Sequence, residues 1–170
     1  MKSTIKTVAA TFGIATASLL SSQALAQNVA PSAQPASGVN QSTSASQEEA
    51  NKKVAVNFYT LALNDKNPEE AMKYISGDFR QHSVLVEDGY SGLRKFLAWV
   101  RAEQPKLHAD ITRVFADGNY VVLDVRMIRH PGDHGLAIAE IYRVQDGKLA
   151  EHWDRMQEIP EKSKNDNGMF

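Results

Sequence analysis

The chain has 170 residues, a formal charge of −1 and no cysteine. Disulfides, thiol chemistry and a lipid-bearing cysteine are therefore excluded, and no basic stripe offers a nucleic-acid footprint. The length suits one modest domain once the ends are set aside.

Residues 1–26 have a basic start (Lys2, Lys6), an apolar run from Thr7 to Leu20 and an Ala24-Leu25-Ala26 cleavage pattern. These are the three parts of a secretory signal peptide, and the run is too short and too rich in Thr and Ser for a membrane span. Cleavage after Ala26 implies a periplasmic or secreted protein with no stable membrane insertion, and loss of Lys2 and Lys6 takes the charge from −1 to −3. Residues 27–46, of Ala, Ser, Gln, Pro, Asn and Gly, are expected to be a disordered linker. The folded domain is expected over 47–160, with 161–170 a polar tail.

Ser46 and Glu49 form a capping box, and Ala50, Val54, Phe58 and Leu61 follow at helical spacing, predicting a helix over 47–63. Asn67-Pro68-Glu69-Glu70 starts a second, short helix, with Gly77 as its left-handed stop. Residues 79–85 alternate as a strand. Ser91 is positioned to cap a third helix that buries Leu93, Phe96, Leu97 and Val100. From Leu107 the period becomes two. Strands over 107–116, 120–129, 136–144 and 148–157 predict a four-strand antiparallel meander, hence an α+β domain.

The last hairpin, joined at Asp146-Gly147, carries polar groups in an apolar frame: Glu140, His152, Trp153 and Asp154 among Ala137, Ile138, Ala139, Ile141 and Leu149. Such groups cost free energy unless they are paired or used, which points to a pocket. A two-residue turn sets Gln145 against Lys148 and, counting outward, Glu140 opposite Trp153. Glu140 and Trp153 then share a face with Ile138, Tyr142, Glu151 and Arg155, and His152 and Asp154 take the other. A single bulge would exchange the faces.

Gln81-His82 ahead of an Asp-Gly turn, the segment DHGLAIAEIYRVQDGKLAEHWD and the ending IPEKSKNDNGMF closely resemble the SnoaL-like family of the nuclear-transport-factor-2-like superfamily. The resemblance covers residues 51–170. It implies a cone-shaped barrel, a curved antiparallel sheet wrapped around three N-terminal helices, with a deep pocket. It also implies chemistry of the aldol-condensation or polyketide-cyclase type, in a superfamily that hosts isomerases, dehydratases and binding modules as well. Ketosteroid isomerases share the fold at a greater distance. Their pattern falls on Tyr59 as an oxyanion-binding phenol, His82 at the general-base position, Glu140 as a protonated second donor and Trp153 as the cavity indole. In that isomerase an apolar site keeps a carboxylic acid neutral so that it can donate a hydrogen bond, and the resemblance implies the same for Glu140. Histidine in place of aspartate at the base, and glutamate rather than aspartate at position 140, depart from the pattern.

The expected function is cofactor-independent acid–base chemistry on a small carbonyl-bearing apolar or aromatic molecule. Candidate catalytic residues are His82, Glu140, Tyr59 and, in reserve, Asp154; Trp153, Ile138 and Tyr142 are candidate substrate contacts. Each has a plainer reading: core packing for Tyr59 and Trp153, a structural histidine at 82, an ion pair of Glu140 with Arg155 or Arg126, a surface pair for His152 and Asp154. His130, Asp133 and His134 lack a rigid frame and the spacing of a zinc site, so no metal is expected. A non-catalytic binding module is the alternative. Another is an association domain, a homodimer built on an outward row of Val121, Leu123, Val125 and Met127.

Overall fold

The computed structural model describes residues 41–170, and their side chains from residue 44 onward. The expected signal peptide and residues 27–40 of the expected linker lie outside the described residues. No described helix is long and apolar enough to cross a membrane.

Helix α1 (Gln41–Tyr59) continues through a wider π turn over Thr60–Asn64. It starts within the expected linker, so Ser46 sits inside the helix and the capping box does not cap it. Its anchors are polar. Buried Asn51 donates from Nδ2 to the Gly118 carbonyl at 2.9 Å, and Glu48 accepts the Gly118 N–H at 3.0 Å. At the other end Asn64 both donates to and accepts from the Ala109 backbone, at 2.9 and 2.8 Å, as a neighbouring strand would.

Asn67 caps the single turn α2 (Pro68–Ala71), accepting from Glu70 N–H, and a 3₁₀ turn over Met72–Tyr74 leads directly into β1 (Ile75–Gln81). Gly77 therefore lies in a strand and not at a left-handed stop; no positive φ occurs there. The strand comes four residues earlier than alternation alone predicts, because Ile75, Phe79 and Gln81 are its inward positions. Asp88, not Ser91, caps α3 (Gly89–Glu103): its Oδ1 accepts from Gly89 N at 2.7 Å and from Gln81 N at 2.8 Å, joining the helix start to the strand end.

β2 (His108–Asp117), β3 (Tyr120–Ile128), β4 (Leu136–Gln145) and β5 (Lys148–Glu158) form the expected meander. β1 then joins β5 in parallel, giving a five-stranded mixed sheet in the order β1-β5-β4-β3-β2. The edges β1 and β2 do not pair, so the sheet curls without closing into a barrel. α1 packs on β2 and β3, and α3 on β1.

Val121, Leu123 and Val125 are fully buried in the core, facing the helices. The outward apolar row expected for a dimer is thus the inner wall, and Met127, the fourth of that row, lines the cavity. The outer face of β3 carries Tyr120, Val122 and Asp124 instead.

Asp146 and Gly147 both adopt positive φ, 51° and 70°, as a two-residue turn of the mirror-image type requires. Gln145 pairs with Lys148 and Val144 with Leu149. Arg143 then pairs with Glu151, leaving Ala150 as an extra residue. This bulge moves the register by one, so Glu140 faces Asp154, Tyr142 faces His152, and Trp153 falls opposite Ile141.

Gly92 allows the segment before α3 to lie against the helix. A Cβ there would stand 2.0 Å from the Glu87 carbonyl oxygen, a backbone atom that cannot swing aside. Gly92→Ala is expected to destabilise the fold by about 2 kcal/mol or more, read as a lower midpoint in urea unfolding.

Candidate functional site

Between the helices and the inner face of the sheet lies a cavity of about 320 Å³. Its wall is apolar, from Phe58, Phe79, Leu93, Phe96, Leu97 and Val100, with Leu85, Trp99 and Met156 exposed where they line it. Most of the linked polar groups enter from the sheet. β4 and β5 contribute Glu140, Tyr142, His152 and Asp154, and the end of β1 contributes Gln81. That composition, apolar walls with a few convergent polar groups, is typical of a small-molecule site.

The groups are linked. Tyr59, on the last turn of α1 and 2% exposed, donates its hydroxyl to Glu140 Oε1 at 3.0 Å. The other oxygen, Glu140 Oε2, lies 2.6 Å from His152 Nε2. His152 Nδ1 lies 2.8 Å from Gln81 Oε1, which also accepts the Ser83 N–H at 2.9 Å. The imidazole stacks on the Tyr142 ring, with centroids 4.7 Å apart. Burial, followed by the Glu140 carboxyl, holds the Tyr59 phenol well above its ordinary value, so it remains a donor. Burial, then Glu140, then Asp154 push the Tyr142 phenol up in the same way.

Asp154 and Tyr142 are among the cavity groups without a hydrogen-bond partner among the described residues. The Asp154 carboxylate accepts no hydrogen bond, and the Tyr142 hydroxyl makes none. No fully enclosed side-chain nitrogen or oxygen is left unpaired, so both open on the cavity's space. Among the described residues no unpaired Lys or Arg lines the cavity with them. Arg129 also lines the cavity, but Asp133 and Glu158 bracket its guanidinium, each at 2.7 Å. Those partners raise the Arg129 guanidinium, and Arg129 holds the Asp133 carboxyl well below the usual carboxylate range.

Of the residues singled out from sequence, Tyr59, Glu140, Asp154, Ile138 and Tyr142 meet in this cavity. His82 and Trp153 do not. Both lie on the outer face of the sheet, where the imidazole stacks flat on the indole at 4.6 Å and Nε2 lies 3.1 Å from Glu151. The bulge at Ala150 turned Trp153 outward, and strand alternation after inward Gln81 turned His82 outward. Glu140 pairs with His152 rather than with Arg155 or Arg126. His152 and Gln81 were not singled out as site residues. The signal for the first was the adjacent pair Leu149-Ala150, two buried neighbours where strict alternation allows one. In the loop after β3, Asp133 is committed to Arg129 and His130 Nδ1 lies against the Pro131 carbonyl.

Glu140, His152 and Asp154 each offer a ligand atom within 4.8 Å of the others, the spacing of a possible metal centre. Their present bonding does not favour it. Glu140 Oε2 and His152 Nε2 are directed at one another at 2.6 Å.

Residues 55–152 match the model of the SnoaL-like domain. The chain belongs to that family. Solved structures share the fold. A candidate ketosteroid isomerase from Kribbella flavida DSM 17836 is 23% identical with a TM-score of 0.56, over 70% of this chain and 86% of that one. A candidate polyketide cyclase from Bacillus cereus ATCC 10987 is 22% identical with a TM-score of 0.53, over 63% and 74%. An NTF2-like protein of unknown function from Cytophaga hutchinsonii ATCC 33406 is 15% identical with a TM-score of 0.53, over 63% and 89%. Among curated proteins, none matches this SnoaL-like chain.

Asp88 holds the β1 end that presents Gln81. Hydrogen bonds from Gln81 N and Gly89 N keep its carboxyl below the usual range. A depressed carboxyl contributes stability above its unfolded value, roughly pH 4, and loses it as pH falls through the lower folded value. Wild type is therefore expected to be more stable than Asp88→Asn at neutral pH, with the gap closing below about pH 4. Thermal midpoints of both proteins across that range check it.

Proposed function

We propose that this SnoaL-like protein catalyses proton transfer on a small apolar carbonyl compound, as an isomerase or cyclase, from the cavity described above. The observation that carries the reading is the Asp154 carboxylate, unpaired and beside the Glu140–His152 couple in a largely apolar hollow. A carboxylate with no hydrogen bonds has its lone pairs free to take a proton, and a hydrogen-bonded carboxyl–imidazole pair next to it can supply the opposite function.

Asp154 takes a proton from the carbon beside the carbonyl. The C–H electron pair becomes the enolate double bond, and charge moves to the carbonyl oxygen. The free Tyr142 hydroxyl donates a hydrogen bond to that oxygen, and the Glu140–His152 couple provides its proton. Return of the Asp154 proton to a different carbon, with the oxygen's proton passing back to the Glu140–His152 couple, completes an isomerisation. Attack of the enolate carbon on a second carbonyl closes a ring instead: the first carbonyl re-forms and returns its proton to the couple, and the new alkoxide takes the proton held by Asp154. Tyr59 holds Glu140 in place through its other oxygen.

The apolar walls and the exposed Leu85, Trp99 and Met156 support a ring-shaped or aromatic substrate. The basic, apolar and Ala-x-Ala parts of residues 1–26 support export to the periplasm or beyond.

The test is deuterium exchange into a panel of apolar cyclic ketones in D₂O, followed by NMR. Wild type is expected to exchange the hydrogens beside the carbonyl. Asp154→Asn should slow that exchange by about 10²-fold or more, and His82→Ala should stay within a few-fold of wild type. Ketone binding without exchange would favour the binding module; equal loss in His82→Ala would overturn the assignment of the base.

A further inference from the structure

We infer that Gln81 is a positioning residue that fixes the hydrogen of His152 on Nδ1, so that Glu140 and His152 hold one shared proton between them.

A backbone N–H only donates, so the Gln81 atom 2.9 Å from Ser83 N is the amide oxygen and not the amide nitrogen. That oxygen carries no hydrogen. It therefore accepts from His152 Nδ1 at 2.8 Å, and Nδ1 must bear one. The free rotation of the amide, which would otherwise let position 81 serve either tautomer, is removed by Ser83.

The other ring nitrogen is then constrained. Nε2 and Glu140 Oε2 are 2.6 Å apart. Two bare acceptors repel at that distance and two hydrogens collide, so one hydrogen lies between them. It belongs either to a neutral acid facing a neutral imidazole or to an imidazolium facing a carboxylate. Both arrangements carry the same total charge, zero, and differ only in where the proton rests. With the opposite tautomer, Nε2–H would donate to an ionised Glu140 and no proton would remain to give away. Gln81 thus decides whether the couple is an acid at all.

The backbone of Gln81 is held for this purpose from two sides. Its N–H donates to Asp88 at 2.8 Å, and the next residue's N–H donates to the His152 carbonyl at 2.9 Å. The side chain is buried at the cavity end of β1. Its consequence for turnover rests on the acid–base reading above, whereas the tautomer itself is present without substrate.

The experiment is ¹⁵N NMR of the full chain labelled in its five histidines, with the His152 signals identified by their loss in His152→Gln. The wild type should show Nδ1 as the protonated, pyrrole-type nitrogen and Nε2 as the nitrogen that shares a proton. Gln81→Leu, close in size, should shift His152 to the Nε2–H form or a mixture. Gln81→Glu, which retains an acceptor, should restore Nδ1–H. A residue that merely filled space would lower the thermal midpoint in Gln81→Leu and leave the tautomer alone. An Nε2–H histidine in wild type, or an unchanged Nδ1–H in Gln81→Leu, overturns the inference. Should Gln81→Leu fail to fold, the wild-type spectrum and Gln81→Glu still decide it. A correct tautomer with no ketone exchange would leave the inference standing and remove the proposed reaction.

Discussion

One extra residue in β5 sets the chemistry of the cavity. Ala150 has no partner on β4, so every side chain beyond it changes face. Without the bulge, Trp153 and Arg155 would project into the hollow against Glu140, and the acid would meet an indole and a guanidinium. With it, His152 and Asp154 enter, and the indole leaves to stack on His82 outside. Bulges recur beside functional sites because they re-aim side chains at little cost to the rest of a sheet.

Having entered, the polar groups have to be stabilised in an apolar surrounding. An isolated charge there is expensive, and a half-satisfied network is worse than none. The chain meets this by linkage: Tyr59 to Glu140, Glu140 to His152, His152 to Gln81, Gln81 to Ser83. Each link is supported by an element that packs for other reasons. α1 is fixed by Asn51 and Asn64, and the β1 end by Asp88. Asp154 and the Tyr142 hydroxyl stand outside the linkage and line the cavity. The family and the shared fold accommodate this arrangement without dictating it, since the same scaffold carries several chemistries.

Much of this was legible in the sequence. Period-two strands, the Asp146-Gly147 turn and the apolar stripe of α3 gave the meander and the helix over it. Glu140 in an apolar strand gave the pocket. The rest depended on longer-range facts. The pairing of β1 with β5 is parallel and joins residues about 70 apart, so no local pattern revealed that Gln81, and not His82, faces inward. The Leu149-Ala150 doublet signalled a bulge but also fits a strand end. The capping box at Ser46 is a sound local signal that an earlier helix start overrides, and the start of α3 went to Asp88 because that carboxylate also receives the Gln81 N–H.

The register of the last hairpin can be observed directly. Cross-strand nuclear Overhauser contacts between β4 and β5 in the isotope-labelled protein report which residues stand opposite one another. The account predicts contacts linking Glu140 with Asp154 and Tyr142 with His152. Contacts linking Glu140 with Trp153 instead would return His152 and Asp154 to the outer face and contradict it.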